Sequence, residues 1–168
     1  MSTLHRLTRV GLVPTLALAL LAVASVSARA QTPATLKWGP APAVFAHGAK
    51  MAVVSGDPMK SGKFTAQLSM PSGYRIKPHW HPTDEHVVVK QGSLVVGMGD
   101  AMNKAAIKAA KTLKVGESSD LTANTHHFAM AKGRTVIEVT ADGPFVLNYV
   151  NPKDDPQQHK AAKVKAKA

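Results

Sequence analysis

The sequence predicts an all-β domain, a small barrel or sandwich, on three observations. Between residues 51 and 150, short apolar and β-branched runs alternate with breaks that carry Gly and Pro, the pattern of short strands joined by tight turns. One stretch, residues 100–114, has instead the Ala and Lys content of a helix former. The 168 residues less the first 30 leave 138, a length that suits one domain around one core.

In chain order, residues 1–30 read as a secretory signal peptide. His5, Arg6 and Arg9 give a basic start, and residues 11–26 are mostly Leu, Ala and Val. Ala28-Arg29-Ala30 has the small-x-small form of a cleavage site, which makes Gln31 the first mature residue. The apolar run is short and broken by Pro14, which argues against a permanent anchor. The expected location is periplasmic or secreted, with no stable membrane insertion after cleavage.

Residues 51–54 and 64–70 are expected strands, parted by a turn at Gly56-Asp57-Pro58. Residues 74–81 and 85–90 follow, with Pro82-Thr83-Asp84 between them. Pro fixes φ and Asp favours turns, so the second strand should fold back beside the first and end at Gly92. Residues 94–98 form the next strand. Residues 100–114, DAMNKAAIKAAKTLK, are expected as an exposed insertion with one helical turn or two, either a solvated connection or a lid. Residues 135–140 and 145–150 finish the sheet, split by Ala141-Asp142-Gly143-Pro144. Pro152 and Pro156 take residues 149–156 off the sheet, with Asp154 and Asp155 in a solvated turn. Residues 160–168, KAAKVKAKA, hold four Lys and no acid, and form a disordered tail.

The formal charge of +11 sits largely on these ends: losing Arg6, Arg9 and Arg29 leaves +8, and the tail's four Lys leave +4 for the body. With export, this excludes nucleic acid as the partner. The absence of cysteine excludes thiol chemistry, iron–sulfur clusters and zinc–thiolate sites. Neither a Gly-x-Ser-x-Gly elbow nor a phosphate-binding glycine loop is present.

The chemistry is concentrated in residues 73–92, GYRIKPHWHPTDEHVVVKQG. Strand alternation puts His79 and His81 on one face and Trp80 on the other, with Glu85 opening the next strand. His127 follows about forty residues later. Three imidazoles and one carboxylate suit a borderline divalent metal.

This stretch resembles the first motif of the cupin superfamily: Gly, five residues, His-x-His, three or four residues, Glu, six residues, Gly. Gly73, His79, His81, Glu85 and Gly92 match each fixed position. The second cupin motif is matched at Gly116 and His127. It departs at Thr122, where Pro is usual, at Asn124, where Gly is usual, and at Ala131, where Asn is usual. Asn tolerates positive φ and can serve as the turn residue. The resemblance spans residues 36–156 and implies a cupin-type double-stranded β-helix, a small β-barrel domain over residues 31–159.

It further implies one divalent transition metal (Fe, Mn, Ni, Cu or Zn) held by His79, His81, Glu85 and His127. His126 then points away from the site. His86 faces outward, and His47 and His159 lie outside both motifs. Parity with His79 puts Arg75 and Lys77 in the cavity unless a bulge intervenes, where a cation would suit an anionic or enolate-like ligand. Val87 and Val89 point inward, and Met70, Met98, Met130 and Phe128 fill core or wall. The implied activity is that of a metal-dependent enzyme, a dioxygenase-like oxidoreductase or an isomerase, acting on a small oxygen-rich or anionic molecule. The alternative is a non-catalytic metal- or ligand-binding module, a sensor, carrier or structural block. A homodimer is also implied.

Overall fold

The computed structural model describes residues 35–158. The signal peptide at residues 1–30, the tail at 160–168 and His159 lie outside the described residues. Among the described residues, no helix is long and apolar enough to cross a membrane.

The all-β expectation holds. Among the described residues, nine strands form one curled sheet in which every pairing is antiparallel. They are β1 (Gly39–Pro40), β2 (Lys50–Ser55), β3 (Gly62–Met70), β4 (Arg75–Trp80), β5 (Glu85–Met98), β6 (Lys111–Lys114), β7 (Ser118–Leu121), β8 (His127–Gly143) and β9 (Asn148–Tyr149). One short helix, α1 (Lys104–Ala109), lies between β5 and β6. The 17-residue β8 is the spine of the sheet. Its first part pairs with β4 and the end of β5, and its second part pairs with β3 and the start of β5.

The core follows from strand alternation. Leu68 and Met70 from β3, Val87 and Val89 from β5, and Ile137 and Val139 from β8 are buried, and their neighbours are partly exposed or exposed. On the other face, polar cross-strand pairs tie the same strands. Thr65 and Thr140 hydroxyls lie 3.0 Å apart, and Gln67 Nε2 donates to Glu138 at 2.8 Å.

Several expectations are corrected. Residues 85–90 and 94–98 are one strand, β5, and Gly92 is not at a turn. It sits in a bulge where pairing with β8 slips, between Val89 and Gln91 and again between Gln91 and Ser93. Gly92 has φ +74°. A turn glycine and a bulge glycine need the same positive φ, so the residue type alone does not separate them. Nor does β5 fold back on β4. The edges of β4 are taken by β8 and β9, while β5 pairs with β6, β7 and β8.

The insertion also divides differently. Asn103 caps α1, its side chain accepting from the Ala106 amide, and Ala110 turns extended. Residues 111–114 then pair with Ser93–Val96 as β6. Leu113 is fully buried there, and its burial outweighs the helix preference of the Lys and Ala around it. Strand β7, which pairs with the start of β5, was not expected. The strand expected at residues 145–150 shrinks to β9. Residues 151–155 leave the sheet through a turn of 3-10 helix, Pro152–Asp154, capped by Asn151.

Candidate metal centre

The site is built where β4, β5 and β8 converge. His79 lies directly opposite His127 in the β4–β8 pairing. Glu85 begins β5, and His81 follows immediately after β4. All four side chains are buried: His79, His81 and His127 are 3% exposed and Glu85 is 7% exposed.

Each imidazole is fixed by a hydrogen bond to a backbone carbonyl. His79 Nδ1 lies 2.7 Å from Lys77 O, His81 Nδ1 2.7 Å from Val146 O, and His127 Nδ1 2.9 Å from Thr125 O. A carbonyl can only accept, so all three Nδ1 atoms carry a proton, and in a neutral imidazole held this way the lone pair is on Nε2. Ligand atoms of the three imidazoles lie within 4.8 Å of one another. Glu85 Oε2 is 3.5 Å from His81 Nε2 and 3.5 Å from His127 Nε2. Two donors each about 2.1 Å from one ion stand roughly 3 to 3.4 Å apart between right-angle and tetrahedral arrangements. The observed spacing is close to that, and the donor chemistry fits a borderline divalent ion.

Burial sets the charge state of the cluster. Desolvation, with His127 and His81 alongside, holds His79 well below the ordinary imidazole value. Desolvation also lowers His81, partly opposed by the Glu85 carboxylate. Neutral imidazoles are the form that binds metal.

The cluster opens on a cavity of about 310 Å³. His79, His81 and Glu85 are in its wall, whereas His127 sits behind them against Glu85. Among the described residues, the rest of the wall is apolar except for Gln67 and Gln157, and includes Leu68, Ile76, Ile137, Val139 and Phe145. Phe145 lies nearly flat on His81, with centroids 4.4 Å apart at 24°, and meets Phe64 edge-on at 5.3 Å and 72°. Val44 and Phe45 also line the cavity. Their segment is held by two tyrosines: Tyr149 Oη donates to Val44 O at 2.9 Å, and Tyr74 Oη to Ala46 O at 2.7 Å. Burial pushes the Tyr74 hydroxyl up to about 12 and raises that of Tyr149 as well.

Arg75 and Lys77 are not in the cavity wall. A bulge between Ile76 and His79 reverses the parity, so that Ile76 and His79 both face inward. The expected anion-binding cation is therefore missing from the wall. Met98, at 54% exposure, is no wall residue either; Met70 is core, and Phe128 is packed on Gly97. None of residues 100–114 lines the cavity, so the insertion is not placed as its lid. His126 points away and pairs with Asp100 at 2.6 Å; His86 is exposed and pairs with Asp120. Asn124 has φ +62° and takes the place of the turn glycine, as expected.

Phe145 was read only as the start of the strand expected at residues 145–150 and not as a cavity residue. Its signal was weak: one of four Phe in the chain, set just after Gly143-Pro144. The carbonyl partners at Lys77 and Thr125 each lie two residues before the histidine they hold, a relation that residue types do not encode.

No family model matches the chain, and no curated protein matches it. Solved structures do. The polyketide cyclase RemF from Streptomyces resistomycificus is similar with a TM-score of 0.59 at 13% identity, over 78% of this chain and 91% of that one. A putative acetylacetone dioxygenase from Methylibium petroleiphilum is similar with a TM-score of 0.55 at 23% identity, over 72% and 79%. An RmlC-like cupin from Shewanella frigidimarina is similar with a TM-score of 0.51 at 14% identity, over 67% and 87%. Together with the curled antiparallel barrel and the buried His cluster on it, these likenesses show that the chain has the cupin fold.

Proposed function

We propose that this chain is an exported, metal-dependent cupin enzyme, a dioxygenase-like oxidoreductase acting on a small molecule held in the apolar cavity. One observation carries this reading: three buried imidazoles come together, with the Glu85 carboxylate 3.5 Å from His81 and from His127, beside a largely apolar cavity. His79, His81, Glu85 and His127 would hold one divalent ion of Fe, Mn, Ni, Cu or Zn. Bound there, the ion would supply Lewis-acid or redox chemistry and positions for substrate or dioxygen. The chain's own part is to fix the tautomers, exclude water and orient a molecule against the cluster. The likeness to a putative acetylacetone dioxygenase supports this choice of chemistry.

Elemental analysis of protein purified without a metal-binding tag should find about one equivalent of metal, as a four-donor site predicts. Substrate-dependent oxygen uptake should then vanish in His79→Ala. Full uptake in that variant refutes the assignment.

The second reading is a non-catalytic cupin that carries a metal or small ligand. It is favoured by the wall's having, among the described residues, no ionisable group besides His79, His81 and Glu85, and so no separate acid or base there. Tight ligand retention without turnover, on the metal-loaded protein, decides for it. We further propose cleavage before Gln31 with a periplasmic or secreted product, checked by N-terminal sequencing of the cell fractions. A homodimer is proposed as well, checked by light scattering.

A further inference from the structure

We infer, on the metal-site reading above, that residues 143–146 couple the mouth of the cavity to the metal centre, with Gly143 as a positioning residue for His81. The three imidazoles differ in where their support lies. His79 and His127 rest on carbonyls two residues before them, at Lys77 and Thr125. His81 instead reaches 65 residues along the chain, to Val146 O. Its main chain is held elsewhere, by the Asn124 amide donating to His81 O at 2.7 Å. What residues 145 and 146 set is therefore the ring: Val146 O accepts from Nδ1, and Phe145 lies along one face.

The same segment carries the mouth. Pro58 and Met59 line the cavity and Met59 is 75% exposed, which puts residues 57–60 at the opening. This loop is tied to itself: the Asp57 carboxylate accepts from the Met59 amide at 2.9 Å and pairs with Lys60 Nζ at 3.2 Å. It is fastened to the segment by the Phe145 amide, which donates to Pro58 O at 2.7 Å. Gly143 lies against it as well. A Cβ at Gly143 would overlap Lys60 O and stand 3.2 Å from Pro58 O and 3.4 Å from Asp57 O. Three loop carbonyls thus approach a residue that has no side chain, a close approach that only glycine allows. Displacing the loop pulls on the Phe145 amide, one residue from the carbonyl that holds His81. By linkage, an occupant that braces Pro58 and Met59 tightens metal binding, and bound metal tightens the occupant's binding by the same factor.

The test uses cobalt(II) as the probe metal. It accepts the same nitrogen and oxygen donors as the ions above, and its visible spectrum reports their arrangement. Affinity is measured at equilibrium against a competing chelator, because faster passage through a loosened mouth leaves an equilibrium constant unchanged. Gly143→Ala should shift the visible bands and weaken cobalt binding by about 10- to 100-fold. Asp57 is outside the cavity wall, and Asp57→Ala unties the loop without touching His81. It should act in the same direction by less, and it decides the question if Gly143→Ala does not fold. Gly133→Ala controls for lost stability: its Cβ would meet nothing within 4 Å, and its spectrum and cobalt affinity should match wild type. A change in either loop variant that the control lacks supports the inference. Wild-type spectrum and affinity in both, or the same change in Gly133→Ala, overturns it and leaves the metal site standing. Failure of the wild type to bind cobalt removes the metal-site reading and the inference together.

Discussion

Replacing Gly92 and Gly133 by alanine, one at a time, separates two roles that a glycine can have. Both residues lie on the long strands β5 and β8, and both have the same backbone, φ +74° and φ +73°. Their surroundings differ. A Cβ at Gly133 meets nothing within 4 Å, whereas a Cβ at Gly92 overlaps the Arg134 carbonyl oxygen and lies 2.9 Å from Thr135 Oγ1. Gly133→Ala should therefore cost the left-handed strain alone, about 1–2 kcal/mol. Gly92→Ala adds an overlap with backbone that cannot rotate away, so its total should reach about 3–5 kcal/mol. For a domain of this size that is a fall in Tm of roughly 10–20 °C, against roughly 4–8 °C for Gly133→Ala. Urea unfolding of the metal-free protein, with both variants and wild type at one pH, measures the difference. Equal losses in the two variants would show that Gly92 acts through its torsion alone, and the close approach of β5 to β8 would be refuted as the reason for it.

The other predictions concern the cluster and the two tyrosines. His79→Ala should lower bound metal from about one equivalent to near none, with a Tm matching that of chelated wild type; retained metal by elemental analysis would contradict this. Chelated protein should lose stability on acidification. His79 and His81 sit below their unfolded value of about 6.5, so below that pH the unfolded chain binds more protons than the native one. The loss should approach about 1.4 kcal/mol per pH unit for each imidazole until its folded pKa is passed, and a flat pH profile between 7 and 5.5 by chemical denaturation would refute it. The only two tyrosines in the chain are Tyr74 and Tyr149, both raised by burial. Native protein should thus show no ionisation step near 10 by ultraviolet titration, while protein in urea titrates there. Raised values mean that the stability is present below about 10 and lost as pH climbs through the folded values; a native step near 10 would place the hydroxyls in solvent.

The sequence carried the site more clearly than the strands that hold it. His79, His81, Glu85 and His127 are legible because their residue types are scarce and their spacing is fixed along the chain. Asn124 was legible because few residue types accept its φ of +62°. The parts that were not legible depend on pairing at long range. Arg75 and Lys77 were assigned to the cavity by a period of two, and one bulge in β4 moved Ile76 there instead. Residues 111–114 look helical alone and become β6 because Ser93–Val96 offers them an edge. Gly92 was read as a turn because torsion is local, and the slip in the β5–β8 pairing that brings it against Arg134 and Thr135 is not.

All three histidines rest on main-chain oxygens, at Lys77, Thr125 and Val146, and none rests on a carboxylate or hydroxyl. Side-chain substitution at those three positions leaves the supporting oxygen in place. The donor geometry is thereby robust to drift in the residues beneath it, while the apolar wall is built from side chains that can change one by one. A barrel arranged in this way can exchange its ligand preference without rebuilding its metal chemistry, which is the freedom a lineage needs to reuse one centre for many small molecules.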